Sequence, residues 1–353
     1  MHMADALLSP AVGVSLWTAS GAGIAFCASR IRKTLDDHKV PLMGVLGAFI
    51  FAAQMINFTI PGTGSSGHLG GGLLLALLLG PHAAFLTISS VLVVQAFFFA
   101  DGGLLALGAN IFNLGVFPCF VGLPLFRAGA GSNPSSGRLT VAAIVAAAVV
   151  LELGAMSVVL ETLLSGRSEL RAGPFLALMG GIHLPIGVIE GFVTAAVLGY
   201  VLKIRPELAA QALGTEADPT RLPRSLAPVL VSFAVAALFA GSLLAWFASS
   251  RPDGLEWSIE RAARGGGVAH SQAVPAHGLP RSLADIQQQT ALLPGYTLPN
   301  SDAGKQPKVG EPAWPAVDGG SSLAGFVGAT ITLAFAAVLG FVVTRRRKKC
   351  GNP

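Results

Sequence analysis

The first residues of the chain, Met1-His2-Met3-Ala4-Asp5, bring together groups that can bind a transition metal. The α-amino group, the amide nitrogen of His2 and its imidazole can form two fused chelate rings in one plane. A deprotonated amide is a strong-field ligand, and Cu(II) and Ni(II) favour the planar, nitrogen-rich arrangement that results. Three nitrogens leave the fourth corner of the plane open, so a further ligand must come from elsewhere in the chain.

A glycine- and serine-rich stretch from Pro61 to Gly72, with the sequence PGTGSSGHLGGG, supplies the best candidate for that corner. Its glycines and serines allow the backbone to fold inward at membrane depth, which is tolerated only where irregular backbone lines a protein cavity. His68 is the one side chain in this stretch that binds transition metals well. The sequence therefore predicts a metal site formed by Met1, His2 and His68.

Either histidine taken alone gives weak support for this site. A histidine that follows an initiator methionine is usually accidental, and a loop histidine has many other roles. The prediction depends on the topology below, which puts both histidines on one face of the membrane.

The composition places most of the chain in a membrane or inside a helix bundle. The 353 residues are 52% hydrophobic and only 12% charged, and a soluble protein of this length needs a far more charged surface. The apolar runs are long enough to span a bilayer as helices and lack the alternation of barrel strands. We expect an all-α, polytopic membrane helix bundle of about seven helices, followed by a C-terminal two-helix transmembrane hairpin with a long extracytoplasmic loop.

Eight or nine membrane segments are predicted, the third of them short and ended by Gly80-Pro81. Their approximate bounds are Ala11–Ser29, Pro41–Phe58, Leu69–Gly80, His82–Ala100, Leu104–Phe126, Leu139–Leu164, Pro174–Leu202, Leu226–Ser249 and Ser322–Thr344. Short, interrupted spans of this kind are typical of binding sites in transporters.

Lysine and arginine placement predicts the orientation. We predict an inner-membrane protein with its N-terminus outside and its C-terminus in the cytoplasm. In this orientation, fifteen of the 23 basic residues fall in short cytoplasmic segments, where lysine and arginine are favoured. The first apolar segment has Asp5 before it and Arg30 and Arg32 after it, which reverses the charge order of a cleaved signal peptide. We therefore expect Met1 to be retained and extracytoplasmic, on the same side as His68.

Three parts are predicted along the chain: a membrane domain over residues 1–206, a cytoplasmic linker over 207–223 and a hairpin domain over 224–353. The outer loop of the hairpin, Arg251–Gly320, is rich in Pro, Gly, Ser and Gln, which predicts mobility over most of its length. Only its first ten residues, Arg251–Glu260, have the turn residues and apolar positions expected of an ordered segment.

None of the other polar residues in the apolar segments is predicted to bind the metal directly. His183 and Glu190, seven residues apart on one helix face, are predicted to line the metal path or, at least as readily, to form a polar pair that joins two helices. His82 is expected to cap a helix or contact a partner subunit, and Asp101 to lie in a loop or cap. Asn110 and Asn113 are expected to form hydrogen bonds between membrane helices.

Several function classes lack their motifs in this sequence. There is no GxxxxGK[ST] phosphate loop, so the chain does not bind ATP by that route, and no HExxH, which disfavours a zinc protease. The three cysteines are scattered without a CxxC, which argues against a structural zinc site or a disulfide framework. Nothing in the sequence calls for a cofactor or for nucleic acid.

The opening of the chain, Met1 to Pro10, resembles the MHIPDGFLSP start of the CbiM/NikM family of cobalt and nickel transporters. Further matches follow in order over roughly residues 1–200, namely the segments that begin at Gly62, Leu79, Gln95, Leu107 and His183. The segment Pro252-Asp253-Gly254-Leu255-Glu256 is similar to the PDGLE signature of nickel-type accessory subunits. Residues 3, 4, 6 and 7 differ from the usual opening, but none of them would contribute a side chain to the plane.

The resemblance implies a specific role. It implies a substrate-binding component of an energy-coupling-factor importer that works with a transmembrane coupling protein and two ATPase subunits. It also implies that Met1, His2 and His68 hold the metal, which would be Ni²⁺ or Co²⁺. The PDGLE signature favours nickel, whereas the coordination geometry admits either ion.

Three other functions remain open from the residues. A secondary transporter or permease would carry the metal without an ATPase. A sensor or receptor would bind metal without moving it. A membrane enzyme would need a reactive group of side chains, which the sequence does not contain.

Overall fold

The computed structural model describes residues 2–34, 39–167, 170–215, 225–264, 278–298 and 314–350. Helices dominate this part of the chain, as predicted. Their bounds are α1 Pro10–Thr34, α2 Val40–Gln54, α3 Gly72–Leu79, α4 Pro81–Phe99, α5 Leu107–Ile111, α6 Leu123–Ala130, α7 Ser136–Ser165, α8 Ala172–Ile204, α9 Pro206–Leu213, α10 Ala227–Ser242, α11 Gly254–Arg264, α12 Leu279–Thr290 and α13 Gly319–Cys350.

Six helical stretches of the described chain are long and apolar enough to cross a membrane: Pro10–Arg32, Pro81–Phe99, Leu107–Ala130, Ser136–Ser165, Ala172–Ile204 and Gly319–Val343. The third runs through α5, a π-helical segment that contains Pro118, and α6. Two shorter apolar helices, α2 and α10, accompany them. All correspond to predicted segments.

The glycine loop, Pro61–Gly71, lies between α2 and α3. Its residues Ser65–Gly67 form strand β2, which pairs antiparallel with β1, Phe58–Ile60, just before the loop. This short hairpin is a small departure from the all-α prediction. Gly71 has φ +77° and precedes α3, and a β-carbon there would lie 2.7 Å from the Ile50 side chain. Glycine at this position therefore provides both the left-handed backbone and the close approach of loop and helix.

The outer loop of the hairpin domain is more ordered than the sequence predicts. Beyond the expected ordered start, α12 and a 3₁₀ turn at Pro294–Tyr296 pack on the first domain. The amides of Leu292 and Leu293 donate to Phe98 O at 2.9 and 3.1 Å. The prediction that only residues 251–260 are ordered is wrong for residues 278–298, because these main-chain contacts replace the apolar anchors that the local sequence lacks.

Part of the predicted linker is also helical. Helix α9, Pro206–Leu213, lies against the first domain, and the Arg127 guanidinium donates to Ala212 O at 3.1 Å and to Gln211 O at 2.7 Å. These carbonyls are at the C-terminal end of α9, where a cation is favourable. Linker residues 216–223 lie outside the described residues.

The hairpin domain joins the bundle through small residues. Helices α10 and α13 cross at Gly241 and Gly325, where a β-carbon on Gly325 would overlap Gly241 O. Helix α13 also packs on α2, and a β-carbon on Gly44 would lie 2.9 Å from Leu333 O. Backbones that approach this closely are typical of helix packing in membranes, where small residues form the interface.

The close approach of α10 and α13 predicts how much an added methyl group at Gly325 destabilises the protein. Gly325→Ala is expected to destabilise the protein by about 1–3 kcal/mol, since the added methyl group meets main-chain atoms that cannot rotate away. Gly181→Ala is the matched control, because a β-carbon there has open space within 4 Å on the same kind of helix. Thermal unfolding in detergent should show a lower midpoint for the first variant only. Equal midpoints for the two variants would rule out the close crossing.

Candidate metal site

The segment after Met1 is held inside the bundle by its main chain. Met3 is fully buried, its amide donates to Asn110 Oδ1 at 2.8 Å, and its carbonyl accepts from Asn110 Nδ2 at 3.3 Å and from the Gly103 amide at 2.9 Å. Two residues on, Asp5 Oδ1 accepts from the Ala106 amide at 2.9 Å. These bonds fix where residue 2 lies, and they depend little on the side chains of residues 3, 4 and 6.

Gly102 and Gly103 make room for this arrangement. A β-carbon on Gly102 would lie 3.4 Å from His2 Cβ and 2.7 Å from Asn110 Nδ2, and one on Gly103 would overlap the Asp5 carboxylate. Any larger residue at either position would push the N-terminal segment away from the bundle.

His2 and His68 meet at this point. Their ring centroids are 5.2 Å apart and the ring planes differ by 16°. The His2 side chain is only 7% exposed. Two imidazoles that bind one ion at adjacent corners, with metal–nitrogen bonds of about 2.0 Å, have centroids separated by roughly 4–5 Å. The spacing fits a shared ion. Met1 lies outside the described residues.

Hydrogen bonding orients His68 for metal binding. Its Nδ1 lies 3.0 Å from Leu69 O, so in the neutral ring Nδ1–H donates to this carbonyl and Nε2 retains its lone pair. Burial lowers the pKa of His68 to about 3, and burial likewise lowers the pKa of His2. Both imidazoles are therefore neutral near pH 7, which is the form that binds metal.

A polar chain connects His2 with the glycine loop. Gln95 Nε2 donates to Gln54 Oε1 at 2.7 Å, and Gln54 Nε2 donates to Gly70 O at 2.8 Å. Within the described part of the chain, His2 Nε2 and Gln95 Oε1 are buried polar atoms without a hydrogen-bond partner. Gln95 also acts on the His2 side chain electrostatically. A ring that chelates through Nδ1 carries its proton on Nε2, and such a proton needs a nearby acceptor of this kind.

Glu190 fixes the same loop from α8. Its carboxylate accepts from the amides of Gly70 and Gly71 at 2.8 and 2.9 Å. His183 instead contacts its own helix, with Nδ1 2.8 Å from Met179 O. The predicted polar pair of His183 and Glu190 is therefore wrong: the two side chains share a helix face, but Glu190 supports the glycine loop.

Asp101 lies in the loop after α4, as predicted, and its carboxylate is also close to His2. Its Oδ1 lies 3.4 Å from His2 Nδ1, and its Oδ2 accepts a hydrogen bond from the Tyr296 hydroxyl of the hairpin domain at 2.5 Å. Burial and the neighbouring carboxylate raise the pKa of Tyr296 well above its ordinary range, so the phenol stays a donor. Sequence reasoning missed this contact because Tyr296 comes from a segment predicted to be mobile.

The remaining predicted polar residues have other partners. His82 packs between Phe26 and Phe120, with centroid distances of 5.7 and 5.9 Å. Asn113 Nδ2 donates to Glu161 Oε2 at 2.9 Å, which is the interhelical bond expected of an asparagine here. Asn110 binds the N-terminal segment instead of another helix.

The described residues contain no group of three His, Cys, Asp or Glu side chains placed to hold one metal ion. Both histidines open on a cavity of about 330 Å³, which Asp101, Asp253 and Tyr296 also line. Together these features define a multi-pass membrane protein with a buried, nitrogen-rich pocket near its N-terminus.

Comparison with known proteins identifies this class more closely. The family model described as the cobalt uptake substrate-specific transmembrane region, CbiM, matches residues 2–208, and the PDGLE domain model matches residues 227–345. The chain belongs to the CbiM family and carries a fused PDGLE domain.

Relatives with the same two-domain arrangement span nearly the whole chain. A protein assigned as a fused nickel transport protein, NikMN, from Archaeoglobus fulgidus is 32% identical over 98% of both chains. The fused nickel transport protein NikMN of Rhodobacter capsulatus is 30% identical over 84% of this chain and 88% of its own. A solved structure titled as a transition metal transporter is 30% identical, covers 58% of this chain and 93% of its own, and has a TM-score of 0.51. This chain is thus a nickel/cobalt transport component of the CbiM/NikMN type.

The two hydrogen bonds between Asn110 and Met3 predict slow hydrogen exchange of the N-terminal amides. Asn110→Leu removes both hydrogen bonds to Met3, so hydrogen–deuterium exchange in a peptide covering residues 3–8 should become faster. Asn113→Leu is the control, because Asn113 binds Glu161 rather than the N-terminal segment. An unchanged exchange rate in the Asn110 variant would contradict a stabilising role for these two hydrogen bonds.

Proposed function

We propose that this protein is the substrate-binding component of an energy-coupling-factor importer for nickel. The ion binds to the Met1 amine, the His2 amide nitrogen, the His2 imidazole and His68, and is then released toward the cytoplasm. A transmembrane coupling protein and two ATPase subunits supply the energy. The observation that carries the proposal is the buried approach of His2 to His68 at a ring distance of 5.2 Å.

The hydrogen bonding of the N-terminal segment supports the proposal that main-chain nitrogens are ligands. Asn110 binds both main-chain polar groups of Met3, so the residue directly before it, His2, is kept at the cavity that His68 also lines. The absence of a three-side-chain metal cluster among the described residues agrees with coordination through the backbone. A plane of four nitrogens suits Ni(II), which prefers square-planar or tetragonal geometry.

Nickel is proposed over cobalt because of the second domain. The relatives that share both domains are named as nickel transport proteins, whereas the protein of Geobacter sulfurreducens named cobalt transport protein CbiM is 32% identical over 60% of this chain. We assign the domains to residues 1–206, 207–223 and 224–353. The placement of basic residues supports an inner-membrane protein with its N-terminus outside and its C-terminus in the cytoplasm.

Nickel binding should depend on both histidines and on a free N-terminus. His2→Ala and His68→Ala are each expected to weaken Ni(II) binding by 100-fold or more (about 2.7 kcal/mol), measured by calorimetry on the purified full chain. His82→Ala is the matched histidine control, since it packs between two phenylalanines outside the pocket. The proposal fails if all three variants bind nickel as wild type does.

The terminal amine needs a separate test. A flexible extension of four residues before Met1 should abolish tight binding, because the amine can no longer share a chelate ring with the His2 amide. A single added residue is unsuitable, since it makes histidine the third residue and creates a different chelate with two amides and an imidazole. Four residues added at the C-terminus provide the control. Wild-type affinity in the N-terminally extended protein would exclude the amine as a ligand.

Transport should require ATP hydrolysis by separate subunits. Cells that contain this protein, the coupling protein and both ATPases should accumulate nickel, and replacing the phosphate-loop lysine of the ATPases should stop accumulation. Uptake that continues in this variant would favour the second candidate, a permease that works without an ATPase. Binding without any uptake would indicate a sensor.

A further inference from the structure

The start of the PDGLE segment contacts the glycine loop through the main chain. The Ser66 amide donates to Pro252 O at 2.8 Å, and the Ser66 hydroxyl donates to Arg251 O at 2.7 Å. One turn into α11, Trp257 Nε1 donates to Thr63 O at 3.0 Å. Three hydrogen bonds thus attach the second domain to the loop that carries His68.

Asp253 is the N-cap of α11. Its Oδ1 accepts from the Glu256 amide at 2.8 Å, and its own amide donates to Glu256 Oε2 at 3.4 Å, which forms a capping box. The next residue, Gly254, packs on α8, where a β-carbon would lie 3.1 Å from His183 Cε1. The cap and this packing hold the Asp253 carboxylate in a fixed place.

That place adjoins the proposed ligands. Asp253 lines the 330 Å³ cavity together with His2 and His68, and it also lines a second, small cavity with His68 and His183. Its carboxylate acts electrostatically on both His2 and His68.

Three other charged residues line the larger cavity: Asp101, Glu256 and Arg251. Asp101 accepts a hydrogen bond from Tyr296, and Glu256 and Arg251 are exposed to solvent. Asp253 differs from these three because it lines both of the cavities that His68 lines.

We propose that Asp253 is a positioning residue of the nickel site, whose carboxylate balances the charge of the bound ion. This rests on the proposed function above. A dication bound by one deprotonated amide and three neutral nitrogens has a net charge of +1. An unbalanced charge inside a protein is costly, and a fixed carboxylate beside it removes most of that cost. The second domain thereby contributes to metal affinity without providing a ligand.

Asp253→Asn separates charge from structure. Asparagine is as good an N-cap as aspartate, so the start of α11 and its contact with the glycine loop should persist. Ni(II) affinity of the full chain should fall about 10- to 100-fold, as for other residues just outside a metal's ligands. The unfolding midpoint of the metal-free protein should remain close to that of wild type. The absorption spectrum of the nickel-saturated protein should also stay unchanged, since the ligand nitrogens are the same.

Two further variants provide controls. Glu256→Gln removes a second carboxylate from the same cavity and the same capping box, and should change the affinity by less than about twofold because its charge is exposed. Asp253→Ala removes the cap as well as the charge, so it should lower both the affinity and the unfolding midpoint.

Each contrary result has a separate meaning. Wild-type affinity in Asp253→Asn would overturn the proposal and leave Asp253 as a helix cap. Equal losses in Asp253→Asn and Glu256→Gln would also overturn it, in favour of the general charge of the cavity. A changed spectrum would make Asp253 a ligand rather than a positioning residue. If His68→Ala binds nickel like wild type, the proposed function itself fails, whatever the Asp253 variants do.

Discussion

Irregular backbone inside a membrane bundle must satisfy its own hydrogen bonds, and this constraint shapes the whole region around the two histidines. The glycine loop has buried amides and carbonyls that no helix pairs. Glu190 accepts from two of the amides, Gln54 donates to Gly70 O, and Pro252 accepts from Ser66. These partners come from α8, α2 and the hairpin domain, so His68 is held by three separate parts of the fold.

The sequence predicts the features that depend on local pattern. Apolar runs predict the spans, the two N-terminal donors suggest a chelate, and the glycine-rich stretch around His68 indicates irregular backbone. The pairing of His2 with His68 agrees with the predicted topology. Their separation could not be predicted, because it depends on how Asn110 and Gly103 hold Met3.

The sequence did not reveal partners that come from distant segments. A shared helix face suggests a polar pair of His183 and Glu190 as one alternative, whereas the donors to Glu190 are the amides of Gly70 and Gly71. Asp101 and Asp253 looked like turn residues, and both face the pocket. One signal was present for the glutamines: Gln54 and Gln95 are polar residues within apolar helices, where an amide side chain needs a partner.

The hydrogen bonds between Met3 and Asn110 fix the position of the main chain at residue 3. These bonds involve main-chain atoms of Met3 and do not use the side chains of residues 3, 4 and 6. This explains how the chain can differ from the usual family opening at those positions. A change in the length of the chain before Met3 has a different effect. If the terminal amine is a ligand, as proposed, one residue more or fewer before Met3 would shift it by about 3.5 Å, far beyond what a coordinate bond can stretch. The proposed site would then tolerate some substitutions in this segment but no insertion or deletion.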